Sequence, residues 1–182
     1  LVLAEASSEN PLGHAEAIGS LLQAILADAA LGPVGSTAPP SPVALTHVAA
    51  GMGPGPFTGL RVGIAAARAF ALGRGIPIVP VASHDAIAMT ILLEAALTDA
   101  AEQRFAVVTD ARRREFAWTV YEGLDDDGLP VRITEPALVP RDELDAVVAA
   151  LGAERRDAAS FSAAMLALVA ARTIAAGRVD TV

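Results

Sequence analysis

Apolar residues first recur with helical spacing between residues 14 and 31 of the chain. Positions i, i+3, i+4, i+7 and i+8 of this segment are occupied by Ile18, Leu21, Leu22, Ile25 and Leu26. This spacing places the side chains in one wide stripe along a helix. Gly32 and Pro33 follow directly, and both residue types end helices. The pattern therefore predicts a first helix over residues 14–31 with one apolar face.

Strands and helices alternate in the next part of the chain. The pattern predicts an apolar strand over residues 43–50, a helix over 60–72 and a short strand over 76–81. The two prolines of that short strand cannot donate ladder hydrogen bonds, which favours an edge or irregular position. Ser83 is a good N-cap for another helix, which is expected to reach residue 97.

The second half of the chain has the pattern of a meander followed by helices. Strands are predicted over residues 105–110 and 115–122, joined as a hairpin, and a third strand over 131–138. Pro140 is expected to open a helix to residue 151, and a last helix is expected over 158–176. The chain is therefore predicted to be an α/β protein with mixed parallel and antiparallel pairing.

The length of 182 residues is enough for one domain or for two small lobes that share a core. We expect an N-terminal lobe over residues 1–82 and a C-terminal lobe over residues 83–182. Although 53% of the residues are hydrophobic, Gly, Arg or Asp interrupts the longest apolar stretches within about ten residues, and a membrane span needs about 20. No secretory signal pattern opens the chain. These features predict a soluble protein without a membrane association.

The residue types that the chain lacks exclude several kinds of chemistry. The chain has no cysteine, and all 13 of its basic residues are arginine, so disulfides, Cys-ligated metals, a Walker phosphate loop and a Schiff-base lysine are excluded. The formal net charge is -8. Because nucleic-acid affinity comes largely from neutralising phosphates, this charge argues against broad nucleic-acid binding by this chain alone.

The most specific segment is GPGPFTGLR, residues 53–61, between a predicted strand and a predicted helix. Its loop residues of interest are Gly53, Gly55, Phe57, Thr58, Gly59 and Arg61. The glycines and prolines indicate a tight turn with close backbone approach, and Thr58 stands where a helix N-cap belongs. The helix start after the turn is also suited to an anion, but neither a dinucleotide fingerprint nor a Walker loop is present. A structural turn is the favoured interpretation, with Phe57 packed between sheet and helix and Arg61 held by a specific partner.

The helix predicted over residues 60–72 has almost no polar face. Its glycines and alanines allow another helix to approach closely, and the apolar stripe of the first helix complements them. This combination favours a second buried surface, and therefore a protein partner. The residues predicted to bind it are His14, Ile18, Leu21, Leu22, Ile25, Leu60, Gly63, Ile64 and Ala67.

A complete catalytic or metal-binding constellation is not found in the sequence. The residue four positions after His14 is Ile18, so a paired-histidine metal site is missing, and His47 and His84 have no sequence-adjacent partner. Each lone histidine is expected to be structural or on the surface. Asp110 is expected to pair with an arginine or to cap its strand end, and residues 125–127 are expected to form a solvated turn.

The stretch GPGPFTGLRVGIAAARAFALGRGIPIVPVAS resembles the signature of the TsaB (YeaZ) family. His14-Ala15-Glu16 and the segment Asp110-Ala111-Arg112-Arg113 are similar to further parts of that family, and the match covers roughly residues 1–151. The resemblance implies actin/sugar-kinase-like (ribonuclease-H-like) lobes and paralogy with the glycoprotease-like TsaD. The family pattern also implies that the first N-terminal strands and part of the C-terminal region are missing here.

The resemblance further implies a cytoplasmic, non-catalytic dimerisation subunit of the machinery that transfers threonylcarbamoyl to the adenosine next to the tRNA anticodon. Its implied partners are TsaD, as a heterodimer, and TsaE, with tRNA reached through the complex and a homodimer formed by the chain alone. No cofactor is expected in this subunit, whereas ATP and a metal are expected in the partner subunits. The alternatives are a metal-dependent glycoprotease-like peptidase and a fragment of a sugar- or acetate-kinase-like enzyme.

Overall fold

A computed structural model of the chain describes residues 2–8, 14–31, 44–55, 57–98, 103–111 and 114–179. Its helices are α1 (His14–Leu31), α2 (Phe57–Arg74), α3 (Ser83–Leu97), α4 (Leu144–Ala150) and α5 (Ala163–Ala175). Its strands are β1 (Val48–Gly51), β2 (Ile78–Val81), β3 (Phe105–Asp110), β4 (Glu115–Leu124), β5 (Pro130–Arg132), β6 (Ala137–Pro140) and β7 (Glu154–Asp157). The predicted α/β class is confirmed, and α1 has its predicted bounds.

β1 and β2 form a small parallel sheet in which Val48 pairs with Ile78 and Gly51 pairs with Val81. α2 connects the two strands and packs on both of them, because parallel neighbours need a crossover connection. Pro80 lies in β2 and has no N–H to donate to a ladder. Within the described ranges β2 pairs on one side only, which agrees with the edge position predicted from its prolines.

The second sheet has the strand order β5-β4-β3-β7, and β6 also pairs with β4. β3 and β4 form the predicted antiparallel hairpin, with Phe105 opposite Tyr121 and Asp110 opposite Phe116. β7 runs parallel to β3. The predicted mixture of parallel and antiparallel pairing is therefore confirmed.

α3 lies between the two sheets and is buried on more than one side. Ala86 and Met89 join Val79 and residues of α5 in one core cluster, while Ile87 packs with Tyr121 of the second sheet in another. A helix that is apolar nearly all round is typically buried in this way. The N-terminus of α3 consequently lies close to both sheets.

The predicted helix caps are wrong at two positions. α2 begins at Phe57, so Thr58 lies inside its first turn and is not an N-cap. Ser83 is the first residue of α3, and Ala82 holds the N-cap position without a side-chain hydrogen bond. The Ser83 hydroxyl is bonded elsewhere, to the motif loop described below. At the other end of α2, Gly75 stops the helix with a φ of +64°.

The strand predicted over residues 131–138 is divided into β5 and β6. The reason lies in the chain between them, where the Thr134 hydroxyl accepts a hydrogen bond from the Val120 N–H at 3.0 Å. A side chain thus replaces a backbone acceptor, and Pro136 could not have donated a ladder bond. The register of the β4–β5 pairing also shifts, between Tyr121 and Leu124 of β4.

Pro140 belongs to β6 and does not open a helix, since α4 begins only at Leu144. β7 was not predicted, because its sequence is ERRD and carries no apolar alternation. Such a charged strand suits a sheet edge, where charge discourages pairing with another chain. α5 begins at Ala163, later than predicted, and the Ser162 side chain caps it by accepting a bond from the Ala164 N–H.

Candidate functional site

The motif loop, residues 53–61, connects the carboxyl end of β1 to α2. The residue just before it is held by a backbone hydrogen bond, in which the Met52 N–H donates to the Val81 carbonyl at 2.8 Å. The loop thus lies at the carboxyl edge of the parallel strands, where open α/β sheets form their functional crevices. This location makes the loop a candidate functional element.

Gly53 is buried and has a φ of +91°, a conformation that residues with a Cβ rarely adopt. A Cβ at this position would lie 2.9 Å from Cδ2 of Leu60, so it would push against the first turn of α2. The Gly53–Pro54 peptide is cis. The predicted requirement for glycine is therefore confirmed at Gly53. At Gly55, in contrast, a Cβ would meet open space and φ is not positive.

The remaining motif residues belong to the start of α2. Thr58 and Arg61 are exposed, and Gly59 is half-buried. Arg61 interacts with a neighbouring group. The side chain of Phe57 lies outside the described part of the chain, so its predicted packing stays a prediction.

α1 and α2 contact each other and form one helical face. On α1 the described apolar residues of the predicted stripe are half-buried rather than fully buried: Ile18, Leu21, Leu22 and Ile25. On α2, Leu60, Ile64 and Ala67 are also half-buried, and Gly63 is exposed, so that a Cβ added there would meet nothing within 4 Å. The side chain of His14 lies outside the described residues.

Further along α2, Ala65, Arg68 and Leu72 are exposed, and 85% of the Leu72 surface is open to solvent. These residues follow one another at helical spacings of three and four, so they share one side of α2.

Ser83 links the motif loop to the start of α3. The Ser83 N–H donates to the Gly53 carbonyl at 2.8 Å, and the Gly53 N–H donates to the Ser83 hydroxyl at 3.2 Å. Ser83 is 4% exposed. The two residues therefore form a reciprocal pair of buried hydrogen bonds, which neither the predicted N-cap role nor the motif itself indicated.

His84 is fully buried and lies between two threonine side chains. Its Nδ1 is 2.8 Å from Oγ1 of Thr119, and its Nε2 is 2.9 Å from Oγ1 of Thr109. Burial lowers the pKa of His84 from 6.5 to about 4, with Arg132 acting in the same direction and Asp85 opposing it. The neutral ring can donate to one threonine and accept from the other. The predicted structural role of this histidine is confirmed.

Asp85 organises a second polar cluster between α3 and the second sheet. Arg132 donates from Nε to Oδ1 at 2.8 Å and from Nη2 to Oδ2 at 2.5 Å, and the Tyr121 hydroxyl donates to Oδ1 at 2.7 Å. The carboxylate is only 14% exposed. Burial and the adjacent carboxylate raise the pKa of Tyr121, and hydrogen bonding to Asp85 raises the pKa of Arg132. Arg132 and Asp85 therefore form a bidentate ion pair, and the Tyr121 hydroxyl donates a further hydrogen bond to the same carboxylate.

The other acidic residues singled out from the sequence have structural partners. Asp110 forms an exposed ion pair with Arg141 at 2.6 Å, in agreement with the predicted arginine partner. Asp125 accepts backbone hydrogen bonds within its own turn, and these bonds together with Arg178 lower its pKa. The prediction of a solvated turn at 125–127 is confirmed. Across the described ranges, no group of three or more metal-ligating side chains comes together.

A sequence model of the family described as TsaD, tRNA N6-adenosine threonylcarbamoyltransferase, matches residues 8–154. The chain belongs to the TsaD family. The similarity noted from the motif, to the YeaZ proteins and their paralogue TsaD, is confirmed by this match together with the fold comparison below.

Curated relatives of this TsaD-family chain come from mycobacteria. An uncharacterized protein of Mycobacterium tuberculosis (strain ATCC 25618 / H37Rv) is 40% identical over 121 residues, which are 66% of this chain and 48% of the relative. An uncharacterized protein of Mycobacterium leprae (strain TN) is 37% identical over 143 residues, which are 79% of this chain and 33% of the relative. The chain thus spans about half or less of the length of these relatives.

Two solved structures share the fold of this TsaD-family chain. YeaZ from Pseudomonas aeruginosa superposes with a TM-score of 0.67 at 22% identity, over 91% of this chain and 79% of that structure. A crystal structure of an uncharacterized protein with similarity to peptidase YeaZ, from the same organism, has a TM-score of 0.68 at 21% identity, over 93% of this chain and 79% of that one. The actin-like fold predicted from the resemblance is therefore confirmed.

None of the helices in the described ranges is long and apolar enough to cross a membrane.

The sequence did not identify the partners of Ser83, His84 and Asp85 in this family member. The tripeptide itself was visible as a run of three polar residues at the start of a helix that is otherwise mostly apolar. Buried polar groups need hydrogen-bond partners, so this polar run was the one indication in the sequence that the start of the helix makes polar contacts.

Proposed function

We propose that this chain is a non-catalytic dimerisation subunit of the complex that transfers a threonylcarbamoyl group to the adenosine next to the anticodon of tRNAs. It binds and supports TsaD in the cytoplasm and works with TsaE and ATP. The observation that carries the proposal is the TsaD-family match over residues 8–154 on a chain with the YeaZ fold. In this role ATP and a metal are bound by the partner subunits, and tRNA is reached through the complex.

The α1–α2 face supports a protein partner. Apart from His14, whose side chain is not described, its predicted residues are half-buried or exposed in the single chain. Apolar surface on two adjoining helices is stabilised when a second protein covers it. Gly63 has open space around it, so the backbone of α2 is accessible to a close helix. The same face would also form the homodimer that we propose for the chain alone, because a two-fold axis pairs one patch with its copy.

The arrangement of buried polar groups supports a non-catalytic role. His84 is held between two threonines, and Asp85 is neutralised by Arg132. A general base or nucleophile needs a side chain that can reach a substrate, whereas these groups already use their polar atoms on one another. ATP hydrolysis measured for the purified chain with and without TsaD distinguishes this role from a kinase-like one: activity of the chain by itself contradicts the proposal.

The partner surface is tested by Gly63→Leu with Gly73→Leu as the matched control on the same helix. Both glycines are exposed, and a Cβ added at either one meets nothing within 4 Å, so the two variants start from comparable surroundings. Gly63→Leu blocks close helix approach and should abolish co-purification with TsaD, and it should also reduce the homodimer mass measured by light scattering to that of a monomer. Gly73→Leu should retain both interactions. Co-purification of Gly63→Leu at the wild-type level would refute this partner surface.

A further inference from the structure

Three successive side chains at the start of α3 reach three different parts of the molecule. Ser83 is bonded to the motif loop, His84 to β3 and β4, and Asp85 to β4 and β5. His84 and Asp85 therefore fix the first turn of α3 to the second sheet. Ser83 faces the other way and joins this fixed turn to the loop that leads into α2.

The contacts continue from Ser83 to α2 through Gly53. Gly53 exchanges two hydrogen bonds with Ser83, and its Cα lies so close to Leu60 that a Cβ would be 2.9 Å from the Leu60 side chain. Leu60 lies at the beginning of α2, the helix that contributes Gly63 and Ile64 to the α1–α2 face. Gly53 also lies only four residues before Phe57, where α2 begins, so its position limits where the first turn of that helix can lie.

The Ser83 hydroxyl is the acceptor for the buried Gly53 N–H. Space around it is tight, because a Cβ at Gly51 would lie 3.2 Å from the Ser83 oxygen. A buried N–H without an acceptor is costly, so removal of the hydroxyl should favour movement of the loop toward water. The hydroxyl thus limits the positions that the loop can take.

We infer that Ser83 is a positioning residue for partner binding: its hydroxyl holds the motif loop so that α2 presents the α1–α2 face in one orientation. This inference rests on the proposed function, in which that face binds TsaD. A hydrogen bond that served stability alone would leave the affinity for TsaD unchanged once the protein is folded, so the two roles can be separated by measurement.

The test compares Ser83→Ala with Thr90→Ala, a control that removes a hydroxyl from the same helix. Thr90 lies seven residues after Ser83, and its hydroxyl donates to the Ala86 carbonyl within the same helix. Hydrogen exchange of the backbone amides in residues 52–61 of the free protein measures how readily the loop opens. Titration with purified TsaD measures the affinity. Ser83→Ala should exchange faster in the loop and bind TsaD about fivefold more weakly, the equivalent of one hydrogen bond. Thr90→Ala should match the wild type in both measurements.

A second measurement needs no variant. If the Ser83–Gly53 bond favours binding, then binding must favour that bond by the same factor. Exchange of the Gly53 amide in the wild-type protein should therefore slow when TsaD is added. An unchanged rate overturns the inference, even where Ser83→Ala does not fold.

The outcomes separate the inference from the proposed function. Wild-type affinity of Ser83→Ala, with or without a loosened loop, overturns the positioning role and leaves TsaD binding intact. If the wild-type chain does not bind TsaD at all, the proposed function and the positioning role are refuted together. Weakened binding by Thr90→Ala to the same extent also overturns the inference, since the effect would then belong to α3 as a whole.

Discussion

The buried position of His84 makes the stability of the protein depend on pH. Its pKa is about 4 in the folded chain and 6.5 when exposed, because burial disfavours the charged ring. Between these values the unfolded chain holds a proton that the folded chain does not, so acid favours unfolding. The stabilising difference is fully present above pH 6.5 and is lost as the pH falls toward 4.

The size of the effect follows from the two pKa values. The difference between a pKa of 6.5 and one of about 4 contributes a total of about 3 kcal/mol to the free energy of unfolding. About 2 kcal/mol of this contribution is lost by pH 5. Most carboxylates remain ionised down to that pH, so the range from pH 7.5 to 5 is the informative one. Urea denaturation at several pH values within this range measures the free energy of unfolding directly.

The control experiment removes one histidine at a time. His84→Leu leaves two threonines without their partner, so it lowers stability at every pH, but the loss between pH 7.5 and 5 should shrink by about 2 kcal/mol. His47→Gln retains His84 and should retain the wild-type loss, since His47 bonds only to its neighbour Thr46 in the described structure. An equal pH dependence for wild type and His84→Leu would refute the reasoning from burial.

Two further substitutions test the loop and the Asp85 cluster. Gly53→Ala forces a Cβ into a left-handed conformation and should cost about 1–3 kcal/mol in chemical denaturation, whereas Gly55→Ala should change little. Arg132→Ala leaves Asp85 without its counter-ion in a mostly buried site and should cost about 3 kcal/mol by the same measurement. Arg104→Ala breaks an exposed ion pair and should cost less than about 1 kcal/mol; equal losses for the two arginines would contradict the assigned burial.

The sequence alone determined the elements whose signals are local. The apolar stripe of α1 and the stop at Gly32-Pro33 defined that helix to the bounds it has in the structure, and the two short runs at 105–110 and 115–122 indicated the β3–β4 hairpin. The turn at Gly53 was also predictable, since glycine beside proline indicates an unusual backbone. The motif was specific enough to indicate the family, because it depends on residue identity at fixed spacing and not on long-range contacts.

The tertiary structure decided which polar groups meet. Ser83 looked like a helix cap, yet its hydroxyl accepts from Gly53, 30 residues away along the chain. Asp85 and Arg132 are 47 residues apart and become partners only after α3 packs on the second sheet. β7 has no apolar pattern and becomes a strand because β3 offers it a free edge. Periodicity reports how a segment buries its own side chains, whereas these contacts depend on which segments become neighbours, and that is settled by packing.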